Sequence, residues 1–328
     1  MAALTGTHTT YGRVGNAEDV HDIIYNISPT DTPVMQAAKK FTATNVLHQW
    51  QTDSLASAAS NTNVEGDDAT AASIAATTML GNYCAISKKV VRVSRTQETA
   101  KKYGRGSEMG YLIKNSGKAL KRDMELMLLG AQASSAGGST TARATAGYRS
   151  MITGNVYYGD ANTKSADATT PGAASVGVWG AVVDGSTLQT FTQADLTSAL
   201  GLAWTDGGNP TMLVVNTFQK SKISAFSGAT AFDGFGLDRG VAQGALIAGV
   251  DLFVSDFGTH KVVLDRFMGQ TAVLCLDPEY MGIAWYDPIK VEDLAKTGDA
   301  TNKQIVCEWA AVLQNPDAHA QVLGLLVT

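Results

Sequence analysis

One long stretch of the chain carries apolar side chains at a helical period. From Ser107 onward Met109, Leu112, Ile113, Leu120, Met124, Met127 and Leu128 fall on one stripe, with Lys114, Lys118, Lys121 and Glu125 mostly elsewhere. Gly130 supplies a stop. The spacing predicts a helix near residues 107–130, roughly 33 Å long at 1.5 Å per residue, enough to cross a domain. Ahead of it, residues 45–51 and 80–94 read as extended, the latter with Val91 and Val93 alternating with Arg92 and Ser94. They predict the two arms of one long hairpin. Between Ala56 and Thr77 the only large apolar side chains are Val64 and Ile74. Such a tip cannot bury enough surface within one subunit to offset its ordering entropy, so it either stays mobile or lies on a neighbour.

The remaining pattern divides into helices first and sheet later. Asn16 with Glu18 and Asp19 resembles a helix start, with an end by Pro29, and Asp31-Thr32-Pro33 opens a short helix towards Lys40. Residues 131–190 are rich in Gly, Ala, Ser and Thr, with apolar islands at 151–158 and 176–183, and read as loops with short strands. A helix over 192–204, a turn from Asp206 to Pro210 and a buried strand over 211–215 form a mixed unit. Strands are then expected at 249–254, 261–265, 271–276, 281–286, 304–312 and 321–326. The fold class is α+β, with the late sheet returning to pack against the long helix and the middle unit inserted between them.

Charge sharpens the picture at the hairpin. Residues 51–87 contain Asp53, Glu65, Asp67 and Asp68 and no base, whereas residues 88–122 hold eleven of the 25 Lys and Arg residues against only Glu98 and Glu108. The acidic tip and Lys88, Lys89, Arg92, Arg95, Lys114 and Lys118 are thus either a disordered acidic loop beside a solvated basic face or candidate interface partners. Over all 328 residues the net charge is only −5, which argues against a dedicated nucleic-acid binder and gives no membrane-surface signal. No run approaches 18 apolar residues. The start, residues 1–14, lacks the apolar core of a leader, and a reducing cytoplasm is the expected place of synthesis.

Candidate chemistry is sparse, and no catalytic residue, cofactor or metal site is predicted. Cys84, Cys275 and Cys307 are odd in number and lie in apolar surroundings, as small buried residues do. His8, His21, His48, His260 and His319 are scattered. The glycine-rich segments 104–110 and 234–240 each miss the dinucleotide spacing by one residue. Ser255, Asp256 and His260 are close in sequence, but a strand-end turn accounts for them. Asn26-Ile27-Ser28 matches a glycosylation acceptor that means nothing in a cytoplasmic chain.

Several separated motifs, in order, resemble one branch of the tailed-phage major capsid proteins. They are Glu18-Asp-Val-His-Asp-Ile-Ile-Tyr-Asn-Ile-Ser-Pro-Thr-Asp-Thr-Pro33, His48-Gln-Trp-Gln-Thr-Asp-Ser-Leu55, Glu65-Gly-Asp-Asp-Ala69, Leu294-Ala-Lys-Thr-Gly-Asp299 with Cys307-Glu308, and Asn315-Pro-Asp-Ala-His319. The resemblance leaves residues 131–190 uncovered. It implies the Hong Kong 97-type capsid fold: an N-terminal arm at 1–44, an extended loop at 45–94, a peripheral domain at 95–190 with its spine helix near 107–130, an axial domain at 191–250, and the returning sheet at 251–328. It also implies that the loop lies across an adjacent subunit. Self-assembly as hexamers and pentamers into an icosahedral shell around double-stranded DNA follows, with DNA held by weak contacts without sequence preference. Scaffolding, portal and possible decoration proteins are the expected partners, no membrane is involved, and the shell is assembled in the host bacterial cytoplasm to become the virion capsid. The alternatives are a cellular nanocompartment shell of the same fold, or an enzyme with an unrecognised site in 131–250.

Overall fold

The computed structural model describes residues 31–55, 58–68, 76–169, 172, 176–229, 252–296 and 298–327. The expected helix between Asn16 and Pro29, the Asn26-Ile27-Ser28 acceptor, His8, His21 and the 234–240 glycine segment lie outside them. In chain order the elements are α1 (Pro33–Ala37), β1 (Lys39–Thr42), β2 (Leu47–Thr52), β3 (Thr78–Tyr83), β4 (Ala85–Ser94), α2 (Arg95–Thr99), α3 (Glu108–Leu128), α4 (Tyr148–Met151), β5 (Val156–Tyr158) and α5 (Gly159–Asn162). They continue as α6 (Gln193–Thr205), β6 (Met212–Val215), α7 (Thr217–Ala229), β7 (Leu252–Ser255), β8 (Gly258–Leu264), β9 (Val273–Leu276), β10 (Met281–Asp293), β11 (Ala300–Leu313) and β12 (Ala320–Leu323), with a 3₁₀ turn at Pro316–Ala318.

Helix α3 starts where its caps dictate. The Ser107 hydroxyl accepts from the Gly110 amide (3.1 Å), and the Glu98 carboxylate, at the end of α2, accepts from the Ser107 hydroxyl (2.8 Å) and from the Glu108 and Met109 amides (3.1 and 3.2 Å). Those bonds, the Ser107 hydroxyl first among them, hold the Glu98 carboxyl below its ordinary pKa. Met109, Leu120, Met124 and Leu128 are buried as the stripe predicts. Glu125 is also fully buried, contrary to its expected place off the stripe. It faces inward because its carboxylate accepts from the amides of Val34 (2.7 Å) and Met35 (2.9 Å), capping α1.

The described strands form three sheets, β1-β10-β11-β4, β5-β12-β9-β6-β8-β7 and the β2-β3 hairpin, and α3 packs on β4 and β11 of the first. The hairpin pairs from Leu47↔Tyr83 to Thr52↔Thr78. Strand β4 leaves it and pairs antiparallel with β11 along its whole length, from Ala85↔Trp309 to Ser94↔Ala300. The helix expected to run to Lys40 stops at Ala37, because Lys39 to Thr42 pair in parallel with Gly282 to Trp285 of β10. The strand expected over 281–286 continues to Asp293 through Pro288. Register shifts between Trp285 and Lys290 accommodate that proline beyond the end of β1, where the missing N–H leaves no ladder bond unmade.

The described part of residues 131–190 contacts the hairpin root and both larger sheets. Asn82 of β3 is buried there, its amide donating to the Ala311 carbonyl (2.9 Å) and the Thr145 hydroxyl (3.0 Å) while its oxygen accepts from the Ala146 amide (3.0 Å). Trp179 is buried too, and its indole donates to the Gly81 carbonyl (2.6 Å). The second core, around Leu196, Leu200, Leu213, Phe253, Cys275 and Val322, lies between α6 and one face of the six-stranded sheet. All three cysteines are buried and free, and burial pushes the Cys275 and Cys307 thiols up to about 12.

The close approach of β1 to β10 rests on Gly282, whose carbonyl also accepts from the buried Tyr148 hydroxyl (2.9 Å). A β-carbon there would overlap the Phe41 ring and stand 2.8 Å from the Lys39 carbonyl oxygen. Gly282→Ala is therefore expected to cost about 1–3 kcal/mol, as overpacking does. Chemical denaturation checks the loss, and limited proteolysis checks that cleavage rises first around β1.

Candidate subunit interface

The hairpin β2-β3 carries the polar tip away from the rest of the chain. Leu55 is 98% and Val64 80% exposed, large apolar side chains left uncovered by the described residues of their own subunit. A turn closes at Gly66, whose φ of 87° is natural for glycine, with the Asp67 amide donating to the Val64 carbonyl (3.1 Å). Glu65, Asp67 and Asp68 are exposed around it. Among the described residues none of these three, nor Asp53, forms an ion pair.

Asp53 sits apart from the other three. It lines a cavity of about 580 Å³ at the loop end of the β2-β3 ladder together with Leu55, Thr78, Leu80, Asp206, Asn315 and Asp317. Burial, and next the charge of Asp206, raise the Asp317 carboxyl pKa. The acidic segment is thus split between Asp53 at the end of the ladder and Glu65, Asp67 and Asp68 around the Gly66 turn.

The basic segment is split as well, by the period of two along β4. Lys89 points to the helix side and pairs with Asp123 of α3 (2.5 Å), below a layer in which Val91, Val93 and Met109 pack together. Lys88 and Arg92 alternate to the outer face with Ile86 and Val90, which are 52% and 55% exposed. Opposite them on β11 stand Asn302, Gln304, Val306 and Glu308, the first accepting from Arg92 Nε (2.8 Å) and the last pairing with Arg143 (2.8 Å). Lys290 of β10, across from Val306, is held between Asp287 (2.7 Å) and Glu292 (2.9 Å). Arg95 pairs with Asp299 (2.9 Å) and ties the end of β4 to the turn before β11. Lys114 and Lys118 lie exposed on α3, away from its buried stripe.

The ten candidate interface residues therefore form separate groups. Lys89, Arg92 and Arg95 are engaged within the subunit, Lys88 and Arg92 alternate with the exposed Ile86 and Val90, and Lys114 and Lys118 stand on the helix. Ile86 and Val90 escaped the sequence reading, although they share the parity of Arg92, and that parity was the available signal. Gln304, Val306 and Glu308 had no local signal, since strand register alone brings them beside β4.

The remaining chemistry is structural. Ser255 Oγ lies 2.7 Å from His260 Nε2, but the other ring nitrogen meets the Pro210 carbonyl (2.5 Å) and not Asp256, and Ser255 Oγ also accepts from the Phe257 amide (3.2 Å). These contacts brace the turn between β7 and β8. Burial lowers the pKa of His260, and lowers that of His319 to about 3. Among the described residues no group of three or more His, Cys, Asp or Glu is placed to hold a metal, and no helix is long and apolar enough to cross a membrane.

This architecture is shared with phage capsids. The structure of the cyanophage A-1(L) capsid asymmetric unit superposes with a TM-score of 0.65 at 15% identity, covering 94% of this chain and 97% of that one. That of Gordonia phage Cozz gives 0.58 at 10% identity, covering 99% and 98%. The fold is thus the Hong Kong 97-type that the motifs implied. In sequence, the major capsid protein of Escherichia phage Phieco32 is 38% identical over 125 residues, a stretch that is 38% of this chain and 36% of that protein. The family model described as the SU10 major capsid protein matches residues 3–326, and on that near-complete match the chain belongs to the SU10 major capsid protein family.

Proposed function

We propose that copies of this chain assemble as hexamers and pentamers into an icosahedral shell enclosing double-stranded DNA, each extended loop lying on the peripheral domain of its neighbour. The observation that carries this reading is the hairpin loop: exposed Leu55 and Val64, three acids with no ion pair among the described residues, and no base within residues 51–87. The outer face of β4 offers the complement, Ile86 and Val90 alternating with Lys88 and Arg92. Burying a side chain such as Leu55 or Val64 is worth about 1.5–3 kcal/mol, against about 0–1 kcal/mol for an exposed ion pair. The apolar contacts then set affinity and the charges set register. Each 1.4 kcal/mol per contact is about tenfold in association, multiplied through the shell by repetition.

The same reading divides the chain into arm, extended loop, peripheral domain, axial domain and returning sheet at the boundaries given above. Scaffolding and portal proteins, and a decoration protein where one binds, are its partners, and assembly takes place in the host cytoplasm. DNA would be held weakly, since the chain has 30 acids against 25 bases and tight phosphate neutralisation would make release costly.

Reversal of the tip charge in Asp67→Lys with Asp68→Lys is expected to cut shell yield while leaving the subunit's thermal unfolding unchanged. Electron microscopy of the assembled fraction reads the first, and calorimetry reads the second. Normal shells at ordinary yield would reject the loop contact.

Ile86→Glu with Val90→Glu probes the other side of that contact. Both positions are half-exposed, so subunit stability should shift by no more than about 0.5 kcal/mol while assembly is lost. Equal loss of folding and assembly would mean that the outer face packs within its own subunit.

Because residues 51–87 contain no lysine, the loop has no amine for a covalent cross-link to a neighbour. Mature shells are expected to run as single chains in denaturing gels. A ladder of covalent oligomers would contradict this.

A further inference from the structure

The exposed cations of α3 lie in one row on one side of the molecule. Steps of four and three residues stack Lys114, Lys118 and Lys121 along the helix, and all three are exposed. The row points away from the sheet, because Asp123, which reaches Lys89 of β4, stands about 140° around the helix from Lys118. Glu125 continues the row two turns beyond Lys118, but there it is buried and its carboxylate caps α1. The exposed part of the row is therefore basic alone.

A second segment adds to it. Arg122 of α3 lies over the Phe267 ring at 5.6 Å, which brings the segment between β8 and β9 beside the helix, and Arg266 of that segment is exposed. Among the described residues none of Lys114, Lys118, Lys121 and Arg266 forms an ion pair. Acids on these elements are engaged or withdrawn: Glu108 pairs with Arg105 (2.6 Å), Asp123 pairs with Lys89, and Glu125 and Asp265 are buried. On the opposite face Lys290 is held between Asp287 and Glu292, Glu308 pairs with Arg143, and a neighbour's loop seated there brings Glu65, Asp67 and Asp68. The two faces of the subunit thus differ in sign.

We infer that the patch formed by Lys114, Lys118, Lys121 and Arg266 is the surface by which the subunit touches duplex DNA, through phosphates alone. On the reading above that the shell encloses DNA, this is the face that meets it. From Lys114 to Lys121 the row covers about 10 Å of helix, and each DNA strand carries a phosphate about every 3.4 Å of its axis, so three can be met in succession. Contacts to phosphate hold the duplex without reading its sequence. Four of them are weak in one subunit and count only when repeated over a shell, which suits a genome that has to leave.

Fluorescence anisotropy of a mixed-sequence duplex of about 30 base pairs, titrated with the unassembled full-length subunit between about 50 and 200 mM salt, tests this. The wild type is expected to bind at the low-salt end, with log K falling against log salt at a slope of about −3.6, or about 0.9 per phosphate neutralised. Lys121→Gln with Arg266→Gln should make the slope shallower by about 1.8 while leaving the thermal melting of the subunit unchanged. Adding Lys114→Gln and Lys118→Gln should abolish binding. Lys88→Gln with Lys290→Gln removes the same charge from the opposite face and should leave the slope as it is. An unchanged slope in the Lys121 and Arg266 variant, or an equal loss in the opposite-face variant, overturns the assignment. Absence of wild-type binding at the low-salt end also overturns it and leaves the patch to an acidic protein. Each result is read on the subunit, so it holds whether or not shells form.

Discussion

The antiparallel ladder between β4 and β11 is the constraint on which the rest of the molecule depends. It joins Ala85 to Trp309 and Ser94 to Ala300, so more than half of the chain must return before it closes. Closing so long a loop is entropically slow to begin, and the reward comes only when α3 packs beneath the finished sheet. Val91, Val93 and Met109 form that contact at one end, and Ile305 and Cys307 join Leu120 and Met124 in the main core. Once the ladder exists, the alternation of β4 has no freedom left. Lys89 must turn to Asp123, and Ile86, Lys88, Val90 and Arg92 must turn outward.

Buried polar groups decide where loosely patterned segments sit around this frame. Asn82 binds the hairpin root to β11 and to residues 145–146, which gives the loop base a rigid anchor. Its amide leaves no comparable alternative, because an unpaired buried polar group costs about 1–3 kcal/mol. Glu125 does the same for α1, a five-residue helix with no side-chain cap from Thr32. A helix so short is held by its contacts and not by its own propensity.

Rigidity at the base and exposure at the tip together suit a protein whose partner is its own copy. The hairpin root is fixed by Asn82 and Trp179, while Leu55 and Val64 extend into solvent without an intrachain partner among the described residues. A stiff arm loses little orientational entropy on docking, so modest contacts suffice when every subunit makes them.

Local chemistry was legible in the residues themselves. The span of α3, the Pro33 start of α1, the β2-β3 hairpin and the opposed acidic and basic blocks all depend on side chains within a few positions of one another. The capsid motifs added the family. Tertiary structure alone decided the conversion of residues 39–42 to strand, the passage of β10 through Pro288, the burial of Glu125 and the division of the basic block between two faces of one sheet. The reason is physical. A helical stripe or a cap is satisfied by neighbours in sequence, whereas a strand's register, and the reason to bury a charge, come from partners up to more than two hundred residues away.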